Sequence, residues 1–403
     1  MGEIRDINFK EIVSVQVFLL EGFSYMLPQY YTIPKVAYFC AAFLIYIVGF
    51  FYSQLACEFF KIYFNAENVT DVLSDSFLFL THLVQTTKLG YMYYYRKRLW
   101  DLIESLNQPA FRPVSLAQRD TLGRYIGMAK FISYKFQILC LLTCMFWTFY
   151  PFTLEELMLP LDSWYPFNTT YNPNFGIAYF HTSVGSWLNG TSNIAADTLF
   201  AGLIMAACAQ LEILRDTLTN LRDYAKARLG GLGENSGKSG GIPAILMDEM
   251  SALLVDCVNH HRCILNFVRE FQLIFSYAIL AQFVVSVIII CTTMYNLTLI
   301  PFGSMQSISL IIYQYCILLE IFLWCYFGNE VMIQSNLLCD AAYKCDWTDC
   351  SPTFKKHLLY FMTRSQMEMN IYAGSFFTLS LTTFVKIVKS SWSYFAVLIS
   401  MNK

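Results

Sequence analysis

The stretch FQLIFSYAILAQFVVSVIIICTTMY, residues 271–295, contains no charged side chain. A helix needs about 20 apolar residues to cross the hydrocarbon core of a bilayer, so this stretch is long enough to span a membrane. The whole chain has a similar character, since 56% of its 403 residues are hydrophobic and only 14% are charged. Such a composition exceeds what the core of a water-soluble protein requires. The sequence therefore predicts an all-α membrane protein.

Six further windows have a comparable length, which makes seven predicted transmembrane spans. Three of these windows are more polar than the rest, because they carry His82, Lys88, Asp197, Lys386 and Lys389. Ionisable groups can lie within a bilayer only where they face protein or water, so we expect a bundle with a wet interior. In chain order the predicted spans are 34–55, 72–95, 131–152, 183–211, 271–295, 308–326 and 371–400.

The Lys and Arg residues indicate the orientation of the chain. Of these 27 residues, 22 lie in or beside the segment before span one and the connections after spans two, four and six. Cytoplasmic connections are enriched in Lys and Arg, so the N-terminus is predicted to be cytoplasmic and the C-terminus extracellular. The loop 151–180 has no Lys or Arg and contains the glycosylation sequence Asn168-Thr-Thr, which agrees with an external position. G-protein-coupled receptors have the opposite orientation, which argues against that class.

The connections predicted to be cytoplasmic are long and have a helical pattern. Leucines recur at a spacing of three or four residues at Leu211, Leu214, Leu218 and Leu221, so we expect helices to project from the membrane and pack together as an anchor. The predicted organisation is a cytoplasmic segment 1–33, spans one to four within 34–210, a cytoplasmic helical loop 211–270 with a Gly-rich linker at 230–243, spans five and six within 271–328, cytoplasmic anchor helices 329–370, and span seven with a short external tail at 371–403.

Metal, cofactor and catalytic chemistry find no support in the sequence. Two groups of Cys and His lack the paired spacing of a zinc site, and no His is placed beside a Ser or Cys nucleophile. Leu232 stands where a phosphate-binding loop would need a glycine before Gly237-Lys238. Lys and Arg form no long run, so we expect no nucleic-acid partner. The two Cys and His groups are Cys257, His260, His261 and Cys263, and Cys339, Cys345 and Cys350.

The chain from residue 354 to residue 398 resembles the C-terminal signature of insect odorant receptors. The matching features are Arg364-x-Gln366, the Ala373-Gly374 turn, the Leu-Ser-x-x-Thr-Phe of 379–384 and the Lys-x-Ser-x-Ser-Tyr-Phe of 389–395. Asp197 in span four and the Cys-Tyr-Phe-Gly of 325–328 also fit this family, as do the length and the orientation. Trp392 stands where the family more often has Tyr, which is a minor departure.

This resemblance implies a heterotetrameric, nonselective cation channel in the plasma membrane, at the dendrite of a sensory neuron. The chain would be the odorant-tuned subunit, which assembles with a shared co-receptor through the cytoplasmic anchor. The co-receptor itself has a longer second cytoplasmic loop, so it is the poorer match. A gustatory receptor channel is the close alternative, and a seven-span transporter is a more distant one because no inverted repeat is visible.

The resemblance also implies a gate in span seven. Phe395-Ala396-Val397-Leu398 matches the family's gate sequence, which puts the gate at Val397 with Ser400 one turn further out. If the helix begins near residue 371, Lys386 and Lys389 lie roughly 20 to 27 Å along it. These two lysines either pair within the bundle or face an aqueous vestibule.

An odorant pocket should be enclosed, apolar and aromatic, with few polar groups. The outer halves of spans two, three, four and six supply such residues, and the family places its pocket there. Trp147 is the strongest candidate because it is large and its indole N–H needs a partner, although any single candidate could instead be core packing. The aromatic content suggests a small aromatic or heterocyclic volatile. The ten candidates are Phe77, Leu80, Thr81, Cys140, Thr143, Trp147, His181, Gly185, Tyr313 and Cys316.

Overall fold

Most of the predicted spans lie within long helices. The structure is a computed structural model that describes residues 8–27, 29, 32–64, 69–153, 158–230 and 244–401. The first span is α2 (Ile33–Ala42), which continues through a π-helical stretch (Phe43–Tyr52) into α3 (Ser53–Phe64). The other helices follow in chain order. They are α4 (Val69–Tyr94), α5 (Arg96–Ser105), α6 (Leu116–Phe149), α7 (Asn174–Thr219), α8 (Leu221–Arg228), α9 (Ala244–Leu299), α10 (Met305–Lys344), α11 (Pro352–Ser365) and α12 (Leu381–Met401).

The N-terminal segment packs inside the helical bundle. A 3₁₀ turn (Phe9–Val13) leads into α1 (Ser14–Gly22), and both contact α6 and α7. Ile12, Val13 and Leu20 are completely buried. The segment predicted only to be cytoplasmic therefore contributes apolar side chains to the core.

Three helices are much longer than a membrane is thick. Helices α7, α9 and α10 have 46, 56 and 40 residues. At about 1.5 Å per residue they extend roughly 69, 84 and 60 Å, whereas the hydrocarbon core is about 30 Å thick. Their extensions pack with the short helices α5, α8 and α11 at the end of the bundle predicted to be cytoplasmic. Of the predicted Gly-rich linker, residues 231–243 lie outside the described residues.

Helix α7 forms the centre of the bundle. All of its most apolar stretch is buried, compared with 17% of the corresponding stretch in the first span. Small residues allow this, because helices can approach closely where side chains are short. A Cβ at Gly202 would lie only 3.1 Å from Cγ1 of Val13. The first span is consequently peripheral, with most of its apolar side chains on the outer surface.

Five helical segments among the described residues are long and apolar enough to cross a membrane. They are Ile33–Phe64, Leu116–Thr153, Asn174–Thr219, Ala244–Leu299 and Met305–Lys344. Helices α4 and α12 overlap the other two predicted spans and carry His82, Lys88, Lys386 and Lys389. The chain is thus a predominantly helical, multi-pass membrane protein, and the count of seven spans remains a prediction.

The predicted start of span seven was wrong. Residues 371–380 form a hairpin in which β1 (Tyr372–Ala373) pairs antiparallel with β2 (Phe377–Thr378). Gly374 has a φ of +60°, and its N–H donates to the backbone oxygen of Ser276 at 2.9 Å. A Cβ there would lie 2.6 Å from Cδ2 of Leu280, so only glycine fits this close approach.

Helix α12 therefore begins ten residues later than predicted. The Ser380 hydroxyl accepts a hydrogen bond from the Thr383 N–H at 3.3 Å, as an N-cap does. Lys386 and Lys389 then lie about 8 and 12 Å from the start of the helix, instead of 20 to 27 Å. Both lysines are exposed and close to the end of α12 that is predicted to be cytoplasmic.

Candidate functional site

A small cavity of about 70 Å³ lies between α4, α6, α7 and α10. Its surface is mostly apolar, and it lies among four of the predicted spans. Six of the ten predicted pocket residues line this cavity. These six are Thr81, Cys140, Thr143, Trp147, Tyr313 and Cys316.

Aromatic side chains form one wall of the cavity. The ring centroids of Trp147 and Tyr313 lie 5.6 Å apart, and those of Phe77 and Tyr313 lie 5.3 Å apart. Thr81 Oγ1 donates to the backbone oxygen of Phe77 at 2.9 Å, so the Tyr313 hydroxyl, 2.5 Å away, donates to Thr81. This chain of hydrogen bonds holds the Tyr313 ring in place.

The other four predicted residues do not line the cavity. Phe77 supports Tyr313 from behind, and Leu80 is half-buried against the hydrophobic core. His181 faces the first span, where its Nε2 lies 2.8 Å from the Ser53 hydroxyl. Gly185 faces the same span, because a Cβ there would overlap Oε1 of Gln54.

A polar face of α7 lines the cavity instead. Ser186, Asn189, Gly190 and Asn193 line it at helical spacings of three and four residues. A Cβ at Gly190 would lie 2.8 Å from the Cys140 sulfur, so glycine allows α6 and α7 to approach closely here. The sequence contained a signal for this face, since Ser186, Asn189 and Asn193 are polar residues at i, i+3 and i+7 within a predicted span.

Two polar residues of α4 line the cavity and were not among the predicted pocket residues. Gln85 is buried, and its Nε2 donates to the backbone oxygen of Asn189 at 3.2 Å and to the Ser192 hydroxyl at 3.0 Å. His82 is also buried, with its Nδ1 2.8 Å from a carboxylate oxygen of Glu58 in α3. These contacts connect the cavity wall to the neighbouring helices.

A buried charge cluster adjoins the cavity. Lys88 Nζ lies 2.5 Å from Asp197 Oδ1, 2.9 Å from Glu320 Oε1 and 3.3 Å from Asn193 Oδ1. Glu320 lines the cavity. The cluster ties α4, α7 and α10 together at a depth where an unpaired charge would cost several kcal/mol.

The charge cluster confirms that Lys88 and Asp197 face protein, as expected for ionisable groups in a span. Glu320 was missed, because it lies in a span that otherwise is strongly apolar. Two further groups complete the site. Gln282 of α9 donates to Glu320 at 3.3 Å, and the Trp324 indole donates to the backbone oxygen of Asp197 at 3.1 Å.

A second, more polar cavity of about 340 Å³ adjoins the first on the side of the loop predicted to be external. Leu78, Trp147 and Leu161 line both cavities. In the outer cavity Lys61 and Asp162 form an ion pair at 2.6 Å. The three shared side chains therefore separate the apolar cavity from a polar vestibule.

Helix α12 packs through one narrow stripe. Thr383, Ile387 and Ser391 are buried on the side that contacts α9 and α10. Between α9 and α12 lies a third cavity of about 560 Å³. The predicted gate residues lie on a different face, because Lys389, Val397 and Ser400 are all exposed and are spaced to share one side of the helix.

Asn168 is exposed in the loop before α7. Its Oδ1 accepts a hydrogen bond from the Thr170 N–H at 2.8 Å. Its glycosylation remains a prediction.

Comparisons with known proteins give a consistent result. The family model described as 7tm Odorant receptor matches residues 68–392. The chain is 24% identical over 359 residues to Odorant receptor Or1 of Anopheles gambiae, covering 87% of this chain and 85% of that relative. It is 21% identical over 417 residues to the Odorant receptor coreceptor of the same species, covering 84% of this chain and 87% of that relative.

The fold also matches a solved structure. The insect olfactory receptor OR5 from Machilis hrabei, in complex with eugenol, superimposes with a TM-score of 0.80 at 18% identity. The match covers 98% of this chain and 97% of that one. At this identity the likeness establishes the fold.

Proposed function

Because this chain belongs to the 7tm odorant receptor family, we propose that it is the odorant-binding subunit of a heteromeric, ligand-gated, nonselective cation channel. The family consists of receptors, which agrees with the lack of catalytic motifs in the sequence. The observation that carries the proposal is the apolar cavity enclosed by α4, α6, α7 and α10. A site of this kind takes up a small apolar molecule because the molecule leaves water and contacts aromatic side chains.

The proposed ligand is a small volatile with an aromatic or heterocyclic body. It would pack against Trp147 and Tyr313, whose neighbouring rings form one wall of the cavity. The remaining candidates Thr81, Cys140, Thr143 and Cys316 would complete its contact surface. Phe77 would act indirectly, through the position of Tyr313.

The partner is proposed to be the family's co-receptor, in a heterotetramer. One argument comes from the relative named Odorant receptor coreceptor. A second comes from α12, where two lysines and several serines lie on an exposed face of a predicted span. Such groups cannot face lipid without a large cost, so they require water or another subunit. Lipid would contact the apolar outer surface of the first span, where Leu44 and Ile45 are exposed.

The pore is proposed to run along this exposed face of α12. Val397, which is 55% exposed in the single chain, would form the gate with Ser400 one turn beyond it. A narrow ring of apolar side chains excludes water and so stops ions without any charge. Lys389, nearer the start of the helix, would face the aqueous vestibule on the cytoplasmic side.

The proposed location is the plasma membrane of a sensory neuron dendrite, with seven spans and a cytoplasmic N-terminus. Asn168 tests this orientation. The full chain should carry a glycan that a glycosidase removes and that Asn168→Gln abolishes. A glycan that remains in Asn168→Gln would require another acceptor, and labelling of an N-terminal tag in intact cells would contradict the orientation.

The function is tested by expressing the full chain with and without the co-receptor and recording currents during exposure to an odorant panel. We expect odorant-gated cation current only when both subunits are present. Currents of normal size from this chain alone would contradict the assignment of a tuned subunit. Uptake of a radiolabelled ligand without any current would favour a transporter.

A further inference from the structure

Gln85 has one polar atom that nothing in the described part of the chain satisfies. Its Nε2 donates to the backbone oxygen of Asn189 and to the Ser192 hydroxyl. A backbone oxygen can only accept, so the nitrogen must face Asn189 and the orientation of the amide is determined. The remaining atom, Oε1, is a buried acceptor without a partner among the described residues. Gln85 is 3% exposed and lines the cavity.

Nearby hydroxyl groups are not available as donors to this atom. Thr81, Thr143 and Ser186 each donate to a backbone oxygen one turn earlier in their own helix. The Tyr313 hydroxyl donates to Thr81, since the hydrogen of Thr81 is already used. Each of the four hydroxyl groups that line the cavity with Gln85 therefore already donates its hydrogen to another acceptor.

The adjacent carboxylate differs from Gln85. Glu320 accepts from Lys88 with one oxygen and from Gln282 with the other. Among the residues that line the cavity and are described, Gln85 alone has a buried side-chain nitrogen or oxygen without a partner. An unsatisfied buried acceptor is costly, and a ligand that donates to it removes that cost.

We propose that the ligand of this cavity carries a hydrogen-bond donor, a hydroxyl or an N–H, that binds Gln85 Oε1. This inference rests on the proposed function, because it specifies the chemical class of the ligand at the same site. The ligand would be a small alcohol, phenol or N–H heterocycle whose apolar body contacts Trp147 and Tyr313. Esters, ketones and ethers of the same shape leave the acceptor unsatisfied and bind more weakly.

The test uses pairs of ligands that differ in the donor alone, such as a phenol and its methyl ether or an indole and its N-methyl derivative. Currents are recorded from the full chain with its co-receptor. We expect the donor-bearing member of each active pair to act at a concentration about tenfold to a hundredfold lower, which is the range for leaving a buried polar group unpaired.

Two variants assign the preference to Gln85. Gln85→Leu removes the acceptor, so the two members of a pair should become nearly equal in potency. Ser192→Ala is the matched control, because it removes a partner of Nε2 and leaves Oε1 in place; it should retain the preference. A preference that persists in Gln85→Leu would overturn the assignment, as would equal potency of the two members in the unmodified chain.

A binding measurement separates this inference from the proposed channel function. The purified full chain is melted in detergent with each member of a pair, because a ligand that binds the folded state raises the melting temperature. A larger shift with the donor-bearing member supports the inference even if no current is recorded. Equal shifts, or no shift with any donor-bearing ligand, reject the inference and leave the co-expression result to decide the function.

Discussion

The two halves of helix α7 have different surroundings. In the first half, Ser186, Asn189 and Asn193 face a cavity whose polar groups are incompletely paired. In the second half, every residue from 197 to 211 is buried, in a run rich in alanine. The first half is thus suited to accept a ligand, and the second half holds the helices together. In many proteins ligand-binding regions have a lower local stability than the packed core.

The charge cluster of Lys88, Asp197 and Glu320 lies at the boundary of these two halves. Its lysine comes from α4, and its carboxylates come from α7 and α10. The cluster therefore joins helices that line the cavity to the helix at the centre of the packed region. We expect its removal to affect the fold more strongly than any change within the cavity.

The largest expected effect is that of Lys88→Met. Without the ammonium group two carboxylates remain buried in the bundle, which costs about 3 to 5 kcal/mol. We expect a large loss of folded protein, measured as the monodisperse fraction and the melting temperature of the detergent-solubilised chain. Lys61→Met is the matched control, since Asp162 is 66% exposed and an exposed pair contributes about 0 to 1 kcal/mol. Equal stability of the two variants would contradict the role of the cluster.

Low pH should weaken the anchor end of the packed region. Burial, and to a smaller extent the neighbouring His261, lowers the pKa of His260 to about 4. An unfolded His titrates near 6.5, so between pH 6.5 and 4 the unfolded chain binds a proton that the folded chain does not. The free energy of unfolding should therefore be highest above pH 6.5 and should fall as the pH is lowered through this window, by at most about 3 kcal/mol for His260.

Thermal melting as a function of pH checks this prediction, with His260→Gln as the comparison. Nε2 of His260, in α9, lies 2.8 Å from Oε1 of Gln210, in α7. Protonation of His260 therefore affects the contact between these two helices. We expect the variant to lose less stability on acidification than the unmodified chain. Identical pH profiles for the two proteins would show that His260 does not contribute.

Trp147→Ala should change odorant sensitivity and leave assembly intact. The side chain lines both the cavity and the outer vestibule, and it packs against Tyr313. We expect the effective odorant concentration to rise about tenfold to a hundredfold, corresponding to about 1.4 to 2.7 kcal/mol of lost contact. Trp187→Ala is the control, because Trp187 is half-buried in α7 and donates to Thr148 without lining the cavity. Unchanged concentration–response curves for Trp147→Ala would place this ring outside the binding site.

The gate substitution should have the smallest effect, because this chain would supply only part of the ring. Val397→Ser is expected to raise the resting leak partially, and Val397→Trp to reduce odorant current while binding persists. Val388→Ser is a matched control, since Val388 is half-buried on α12 and lies nine residues before Val397, which at about 100° per residue places it on the opposite side of the helix. Normal leak and normal odorant current from both Val397 variants, in receptors detected at the surface, would place the constriction elsewhere.

The sequence was most informative where a single property determines the structure. Long apolar runs located the helices that are long and apolar enough to cross a membrane, and the unfavourable position of Lys88 and Asp197 in a bilayer required them to face protein or water. Glu320 escaped notice because its neighbours are strongly apolar. It could have been found, because Glu320 is the one charged residue in the span 308–326, and a carboxylate within a span needs a partner such as Lys88.

The rotation of a helix about its axis was harder to predict. His181 and Gly185 lie at the correct end of α7 but face the first span, whereas Ser186, one position beyond Gly185, lines the cavity. A helix turns by about 100° per residue, so an error of one residue in the assumed face assigns the wrong side chains to the cavity. The hairpin before α12 was also mistaken for helix, because a short apolar segment of Ile, Phe and Leu has no period that distinguishes the two.

The position of the odorant can be seen in structures of the full channel, this chain with its co-receptor, determined with and without an active odorant. We expect ligand density between Trp147 and Gln85 in the cavity of this chain, and no density there in the absence of odorant. Ligand density confined to another site, such as the space between α9 and α12, with the cavity unchanged, would contradict this expectation.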